Sequence, residues 1–252
     1  MDAAKSFSFP FEDPDWVSKL GLGALISMVP ILNFAWTGYL VEIIRNVRND
    51  DPRPLPNWDD LGKKINEGLI LFGAALVYLA PALVALCLPL GIIALSSSSS
   101  GNSNMQDLGQ TLIEAGGALF LCLLSVFILY GFLLSILYPG ILVMFSRERT
   151  FASCFKLRET FELIRTNLEI FLTAWGLSLI TGLGVGLLVG FVNIVVGFVP
   201  CIGWIVGTVS SFVSTVYANV VYAHLFGQFG RTAFGESIDD KFTAGDGGLT
   251  ES

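Results

Sequence analysis

The residues that could carry chemistry are few and widely separated. His224 is the sole histidine, and Cys87, Cys122, Cys154 and Cys201 show neither C-x-x-C nor C-x-C spacing. A metal site, or a nucleophile with a histidine base, needs such groups in close combination. We therefore interpret the cysteines as small apolar packing residues. His224 is interpreted as a hydrogen-bonded structural residue, with a proton relay as the alternative.

Ionisable residues inside a membrane usually mark a functional path. Glu42 lies three residues before Arg45, which favours a surface pair over a site, and Glu114 and Glu169 border polar connections. The sequence contains no G-x-S-x-G, no phosphate-binding G-x-x-x-x-G-K-[ST] and no H-E-x-x-H motif. These observations predict a protein that is not an enzyme, with no catalytic centre, no metal and no cofactor.

The elements that position these residues are long stretches without charge. The chain of 252 residues has 14 Lys and Arg and 21 Asp and Glu. None of these falls in residues 20–41, 68–106, 115–146 or 170–230. A soluble domain cannot bury such stretches, because it also needs a wetted surface. A membrane helix needs about 20 apolar residues, so the pattern predicts an all-α, multi-pass membrane protein and excludes a soluble enzyme or a nucleic-acid binder.

Residues 16–230 are predicted to form one membrane domain with five segments. The first segment contains Pro30, which interrupts a helix, so it is either a kinked span or a helical hairpin with both ends on one side. The hairpin is favoured, because the part before Pro30 is too short to cross a bilayer. The other four segments are predicted full spans, with bends at Pro81 and Pro89 and a break at Pro139. The segments cover about residues 16–44, 60–95, 108–145, 167–198 and 202–229.

Charge outside the segments predicts the orientation. Ten of the basic residues lie in connections 45–64 and 147–165, whereas connections 96–106 and 197–203 hold none. The positive-inside rule therefore predicts that the basic connections and the C-terminus are cytoplasmic. The N-terminus is cytoplasmic if the first segment is a hairpin and external if it is a span. Residues 1–15 are interpreted as an aromatic-rich interfacial tail, and residues 231–252 as a flexible tail.

Small residues recur every four positions in the last two segments. Each set lines one helix face, and small faces let membrane helices approach closely. We expect a tight antiparallel hairpin around a turn at Pro200. Alternatively, one face meets another subunit or lines a narrow path. The sets are Ser178, Gly182, Gly186 and Gly190, and then Gly203, Gly207, Ser211, Thr215 and Asn219.

Residues 151–166 are predicted to form an amphipathic helix. Arg158 and Arg165 flank its apolar stripe, and Glu162 lies within i,i+4 reach of Arg158. Such a helix is typical of the headgroup region, where its basic flank faces anionic lipid. The stripe consists of Cys154, Leu157, Phe161 and Ile164.

The segment Leu55-Pro56-Asn57-Trp58-Asp59-Asp60 is interpreted as an interfacial elbow. Pro56 keeps the backbone before it extended. Trp58 is expected to anchor at the headgroups, and Asp59 or Asp60 to cap the second segment. A protein-docking epitope is the alternative interpretation of this loop.

The elbow is one of several motifs that resemble DUF4013, a prokaryotic family of unknown function. The other motifs are Phe11-Glu12-Asp13-Pro14-Asp15-Trp16, Lys19, Pro30 and Gly38-Tyr39. The resemblance covers residues 7 to about 230. It implies a multi-pass helical protein of a bacterial or archaeal cell membrane, and it brings neither an activity nor catalytic residues.

Together these features favour a non-enzymatic integral membrane protein: a scaffold, an assembly factor or an accessory subunit of a membrane complex. Its expected partners are the lipid bilayer and other membrane protein subunits, and not nucleic acid. The alternative is a small-solute or proton-coupled transporter or channel subunit. For that alternative Pro30, Asn33 and Asn193 are the obvious suppliers of polar groups near the midplane.

Overall fold

The computed structural model describes residues 2–97, 103–198 and 202–246. Within these residues the chain is helical and has no strand, so the predicted all-α class is confirmed. The helices are α1 (Ala3–Glu12), α2 (Trp16–Met28), α3 (Asn33–Arg48), α4 (Leu61–Ser97), α5 (Ser103–Glu148), α6 (Leu157–Thr166), α7 (Leu168–Gly197) and α8 (Ile202–Asp246), with a 3₁₀ turn at Phe151–Phe155.

Among the described residues, four helices are long and apolar enough to cross a membrane. Their apolar stretches exceed the roughly 20 residues that a span requires. The side chains that they turn outward are apolar as well: Leu187 is 75% exposed and Ile194 67% exposed. The four predicted spans are therefore confirmed. They lie at Leu61–Ala85, Gly116–Glu148, Leu168–Gly197 and Gly203–Gly235.

The first segment is a helical hairpin, the favoured of the two alternatives. Val29, which precedes Pro30, is extended, as expected for a residue whose helical conformation is hindered by the following proline ring. The 13 residues of α2 span about 20 Å, less than the apolar core of a bilayer. Helix α3 folds back along α2. The two helices pack closely, since a Cβ atom at Gly23 would lie against the ring of Trp36.

The chain divides into two compact units. Unit 1 contains Met1–Leu71 and Pro139–Ser252, and unit 2 contains Phe72–Tyr138. In unit 2, the Tyr130 hydroxyl of α5 donates to the carbonyl of Tyr78 in α4 at 2.9 Å. The core of unit 1 lies between α3, α8, the end of α5 and the start of α7. Its largest fully buried side chains include Tyr39, Ile43, Phe145, Phe171, Phe226 and Phe229.

Helix α5 continues where the sequence suggested a break, whereas the bends expected in α4 stay predictions, because a continuous helix can also be bent. Helix α4 is continuous through Pro81 and Pro89, and α5 is continuous through Pro139, where a break was expected. Neighbouring groups can satisfy the carbonyl that a proline leaves unpaired in a membrane helix. The expected turn at Pro200 lies outside the described residues.

The C-terminal residues correct another expectation. Helix α8 runs to Asp246, so residues 231–246, predicted as part of a flexible tail, are helical. Ala233 is buried, and the guanidinium of Arg147 lies 4.6 Å from the ring centroid of Phe234. These contacts fix α8 as far as Phe234, and no proline interrupts its propagation beyond that residue.

Candidate functional site

Charged side chains from α3, α4 and the residue after α5 form a continuous chain of ion pairs. Lys64 Nζ lies 2.6 Å from Glu42 Oε2, and Glu42 Oε1 lies 3.4 Å from Arg45 Nη2. Arg45 Nη1 lies 3.6 Å from Glu67 Oε1, to which Arg149 also donates. Lys64 and Glu67 are buried. We call this chain, together with the elbow, the polar end of unit 1.

Trp58 attaches the elbow to the helices. Its ring stacks on Tyr39 with centroids 4.5 Å apart, and its Nε1 donates to the carbonyl of Lys19 at 2.9 Å. The half-buried ring therefore packs against protein, and the expected anchor at the headgroups stays a prediction. Burial and the carboxylates of Asp13 and Glu42 raise the pKa of Tyr39, so its hydroxyl stays protonated.

Asp13 and Lys19 tie the start of the hairpin to the elbow. Lys19 Nζ donates to Asp13 Oδ2 at 2.7 Å and to the carbonyl of Leu55 at 3.1 Å. Burial raises the pKa of Asp13, but hydrogen bonds from Lys19 and from the N–H of Asp15 outweigh it and hold the pKa below its usual value. The carboxylate is thus ionised and paired at neutral pH.

The elbow and α3 border a polar cleft of about 450 Å³. Asp59 and Asp60 are exposed on its wall, and α4 begins directly after them. Among the described residues that line the cleft, carboxylates outnumber basic groups two to one. No group of three potential metal ligands occurs in the described part of the chain. The carboxylates are Asp13, Asp15, Glu42, Asp51, Asp59 and Asp60, and the basic groups are Lys19, Arg53 and Lys64.

His224 is buried between α8 and α1, a helix that the sequence analysis did not predict. Its ring stacks on Phe9, and its Nδ1 lies 2.9 Å from Ser6 Oγ and 3.1 Å from Gln228 Nε2. The N–H of Asp2 donates to Gln228 Oε1 at 2.7 Å, which orients the amide so that Nε2 faces the histidine. Gln228 Nε2 also donates to the Asp2 carbonyl at 2.9 Å and to Ser6 Oγ at 3.2 Å, so Nδ1 of His224 belongs to a buried polar cluster with Ser6, Gln228 and the Asp2 carbonyl.

We expect His224→Asn to retain more stability than His224→Leu. The Asn Oδ1 can take the place of Nδ1 and accept from Gln228, so this variant loses mainly the stacking on Phe9, about 1 kcal/mol. Leucine also removes the hydrogen-bond partner that Nδ1 offers to Ser6 and Gln228, which keep only their contacts with each other and with the Asp2 carbonyl, at about 0.5–1.5 kcal/mol for each lost bond. Thermal unfolding in mild detergent measures the difference, and equal melting temperatures would contradict the role of Nδ1.

The small residues of α8 lie against α7. A Cβ atom at Gly203 would overlap the carbonyl of Val196, and one at Gly207 would overlap Asn193 Oδ1. Asn193 Nδ2 also donates to Ser211 Oγ at 3.3 Å. The predicted hairpin is therefore closely packed at the end nearest its turn.

The small residues of α7 do not share in this packing. A Cβ atom at Gly182, Gly186 or Gly190 would meet no atom of the described chain within 4 Å. The hydroxyl of Ser178 donates to a carbonyl of α7 itself. In α8 the exposed Thr215 likewise donates within its own helix, so the packed part of that small-residue face reaches only to Ser211. Helix α7 instead packs against the protein through the stripe of residues next to its glycine face. Larger side chains on that stripe offer contacts that glycines lack. That less exposed stripe is Thr181, Val185, Val189 and Asn193.

Because only α8 packs through its small residues, mutation can test the small-residue faces of α7 and α8 separately. We expect Gly207→Leu to lower the free energy of unfolding by about 1–3 kcal/mol, because the new side chain must displace Asn193. Gly186→Leu faces away from the described chain and should stay within about 0.5 kcal/mol of the parent. Unfolding in mixed detergent micelles compares the pair. Equal losses of unfolding free energy in the two variants would show that the small-residue face of α7 is also a packing surface.

The predicted amphipathic helix divides between the 3₁₀ turn and α6. Arg158 and Arg165 are exposed, and the expected pair of Arg158 with Glu162 is not formed among the described residues. Burial raises the pKa of the Cys154 thiol to about 11, so it stays protonated. The apolar stripe is split: Cys154 and Ile164 are buried, whereas Leu157 and Phe161 are exposed.

Sequence reasoning missed the closest helix crossing in unit 1. A Cβ atom at Gly38 would overlap the backbone of Lys64, and one at Gly68 would overlap the backbone of Phe34. Helices α3 and α4 therefore touch backbone to backbone. The available signal was a glycine inside each helical pattern, which costs about 1 kcal/mol relative to alanine and so suggests a packing reason.

A family model described as a protein of unknown function, DUF4013, matches residues 22–194. The match covers more than half of the chain and includes most of the hairpin, the elbow, the ion-pair chain and α6. It confirms the resemblance inferred from the motifs of the N-terminal part. No curated protein and no solved structure matches the chain. The chain therefore belongs to the DUF4013 family.

Proposed function

We propose that this protein is a non-enzymatic scaffold, assembly factor or accessory subunit of a membrane complex, and that it acts through the polar end of unit 1. The observation that carries the proposal is the ion-pair chain. Its buried members are each paired, Lys64 with Glu42 and Glu67 with Arg45 and Arg149, so they order this surface and leave the polar cleft beside it for a partner. An ordered surface loop of this kind is a common place for binding.

The distribution of charge along the spans also supports this proposal over transport. The ionisable residues of the four spans lie at Lys63–Glu67, Arg147–Glu148, Glu169 and His224–Arg231, and the remainder of each span carries none. A proton-coupled path needs ionisable groups along its length. The transporter alternative depends on Asn193, which lines an open cleft of about 420 Å³ between α7 and α8.

The proposed orientation places the polar end in the cytoplasm of a prokaryotic cell, with the membrane domain in the plasma membrane. Cysteine labelling in a cysteine-free background tests it. We expect Ser99→Cys to react with an impermeant maleimide in intact cells, and Arg53→Cys to react only after permeabilisation. The reverse pattern would invert the topology.

Site-specific photo-crosslinking in native membranes tests the role of the polar end. A photoreactive residue at Asp59 is expected to give a discrete protein adduct, whereas one at Leu187, on an exposed apolar face, gives none. Adducts of equal yield at both positions, or none at Asp59, would reject the polar end as a docking surface.

Reconstituted vesicles test the alternative function. We expect no acceleration of proton or small-solute flux over protein-free vesicles of the same lipid composition. A flux that is present in the parent protein and lost in Asn193→Leu, with the protein still folded, would establish a path between α7 and α8 and replace the scaffold proposal.

A further inference from the structure

Helix α6 has a fixed orientation because one of its faces packs on α5. Thr160 is fully buried and Ile164 is nearly so. A Cβ atom at Gly140 would contact both side chains, so the glycine lets α6 approach closely. The remaining faces of α6 therefore point in known directions away from the protein.

The faces of α6 follow a definite order around the helix, at 100° per residue. Next to the buried face comes an apolar face, on which Leu157 is 40% and Phe161 60% exposed. Then come Arg158 and Arg165, followed by the acidic and polar residues. Phe151 and Leu168, both exposed, extend the apolar face along the surface. The polar face carries Glu159, Glu162 and Thr166.

The two arginines of this helix are uncommitted among the described residues. Neither Arg158 nor Arg165 forms an ion pair there. Lys156, by contrast, lies 2.7 Å from Glu148 and 3.5 Å from Glu159. Arg158 and Arg165 are seven residues apart, so they share one face at a separation of about 10 Å along the axis.

We propose that α6 lies in the headgroup layer and that Arg158 and Arg165 bind the phosphate groups of anionic phospholipids. The four faces of α6 match the layers at a membrane surface. The buried face meets the packed helices, the apolar face the acyl chains, the basic face the phosphates and the acidic face the water. Leu157 and Phe161 enter the acyl boundary, and the planar guanidinium groups form paired hydrogen bonds with phosphate oxygens. This lipid contact is independent of the scaffold role and of any protein partner.

Lipid-selective quenching tests the proposal on the full chain in a cysteine-free background. Leu157→Cys carries a bimane label, and vesicles contain phosphatidylcholine and phosphatidylglycerol at 3:1 with one or the other lipid brominated. At equal mole fractions of brominated lipid, the phosphatidylglycerol form is expected to quench more strongly. A basic residue near an anionic surface contributes about 1 kcal/mol, which corresponds to an enrichment of anionic lipid beside it of about fivefold.

Matched variants assign that preference to the arginines. Arg158→Gln with Arg165→Gln should abolish it, and Glu159→Gln with Glu162→Gln should preserve it, each with the thermal stability of the parent. Equal quenching by both lipids in the parent, no quenching by either, or a preference that survives loss of both arginines would each overturn the proposal. Loss of the preference when inorganic phosphate replaces chloride at constant ionic strength would also overturn it, because screening is then unchanged and the arginines would prefer a free anion to the lipid.

Discussion

Gly68→Ala and Gly38→Ala are each expected to lower the free energy of unfolding of unit 1 by about 3 kcal/mol. The added methyl group at residue 68 overlaps the backbone of Phe34, and the one at residue 38 overlaps the backbone of Lys64. Overpacking against side chains costs about 1–3 kcal/mol. A backbone cannot change rotamer, so α3 and α4 must separate and weaken the ion pairs that join them.

Gly62→Ala is the matched control for this experiment. It lies on the same helix as Gly68, and a Cβ atom there would meet no described atom within 4 Å. Alanine favours a helix interior over glycine by up to about 1 kcal/mol, so this variant should equal or exceed the parent. Reversible unfolding in mixed detergent micelles gives the three values. If Gly68→Ala were as stable as Gly62→Ala, the backbone contact of α3 and α4 would not exist.

The sequence was sufficient to predict the four spans, because bilayer physics acts on single stretches of chain. An uncharged stretch longer than about 20 residues has few other structures available. Pro30 predicts an interruption of the first segment, but it left a kinked span open beside the favoured hairpin, and the packing of α3 on α2 decides for the hairpin. The prediction of the spans needs only local information.

The polar end could not be predicted in the same way, because its residues meet across long sequence separations. Glu67 binds Arg149, which lies 82 residues away, and Trp58 stacks on Tyr39 of α3. Composition shows that these side chains are charged or amphipathic, but their partners depend on how the helices cross.

The small-residue faces of α7 and α8 also show that contacts between helices could not be predicted from the sequence. A period of four identifies a helix face, but it does not say whether that face meets a neighbour. In α8 the face of Gly207 meets Asn193, whereas in α7 the face of Gly186 points away from the described chain. The choice follows from which stripe offers more contact area, and that is a property of the pair of helices.

Glu67→Gln is expected to lower the free energy of unfolding by about 3 kcal/mol. Glu67 is almost fully buried and its carboxylate serves both Arg45 and Arg149. Removing one partner of a buried pair costs about 3–5 kcal/mol, since the remaining charge stays away from water. The lower end applies because Arg149 is 41% exposed and Arg45 keeps Glu42. Glutamine preserves the volume, so the loss reports the charge.

Two further variants test whether the loss in Glu67→Gln comes from its buried ion pairs. The first, outside the chain of ion pairs, removes a more exposed carboxylate. Glu148→Gln removes a carboxylate whose partner Lys156 is 36% exposed, and it should cost less than about 1 kcal/mol. Arg45→Met, added to Glu67→Gln, removes a guanidinium that has already lost one of its two carboxylate partners, so the double variant should lose less stability than the sum of the two single variants. If Glu67→Gln cost no more than Glu148→Gln, or if Arg45→Met deepened the loss by its full individual cost, the ion pairs would not order this surface. The acidic cleft beside them would then lack the rigid support that the scaffold proposal requires.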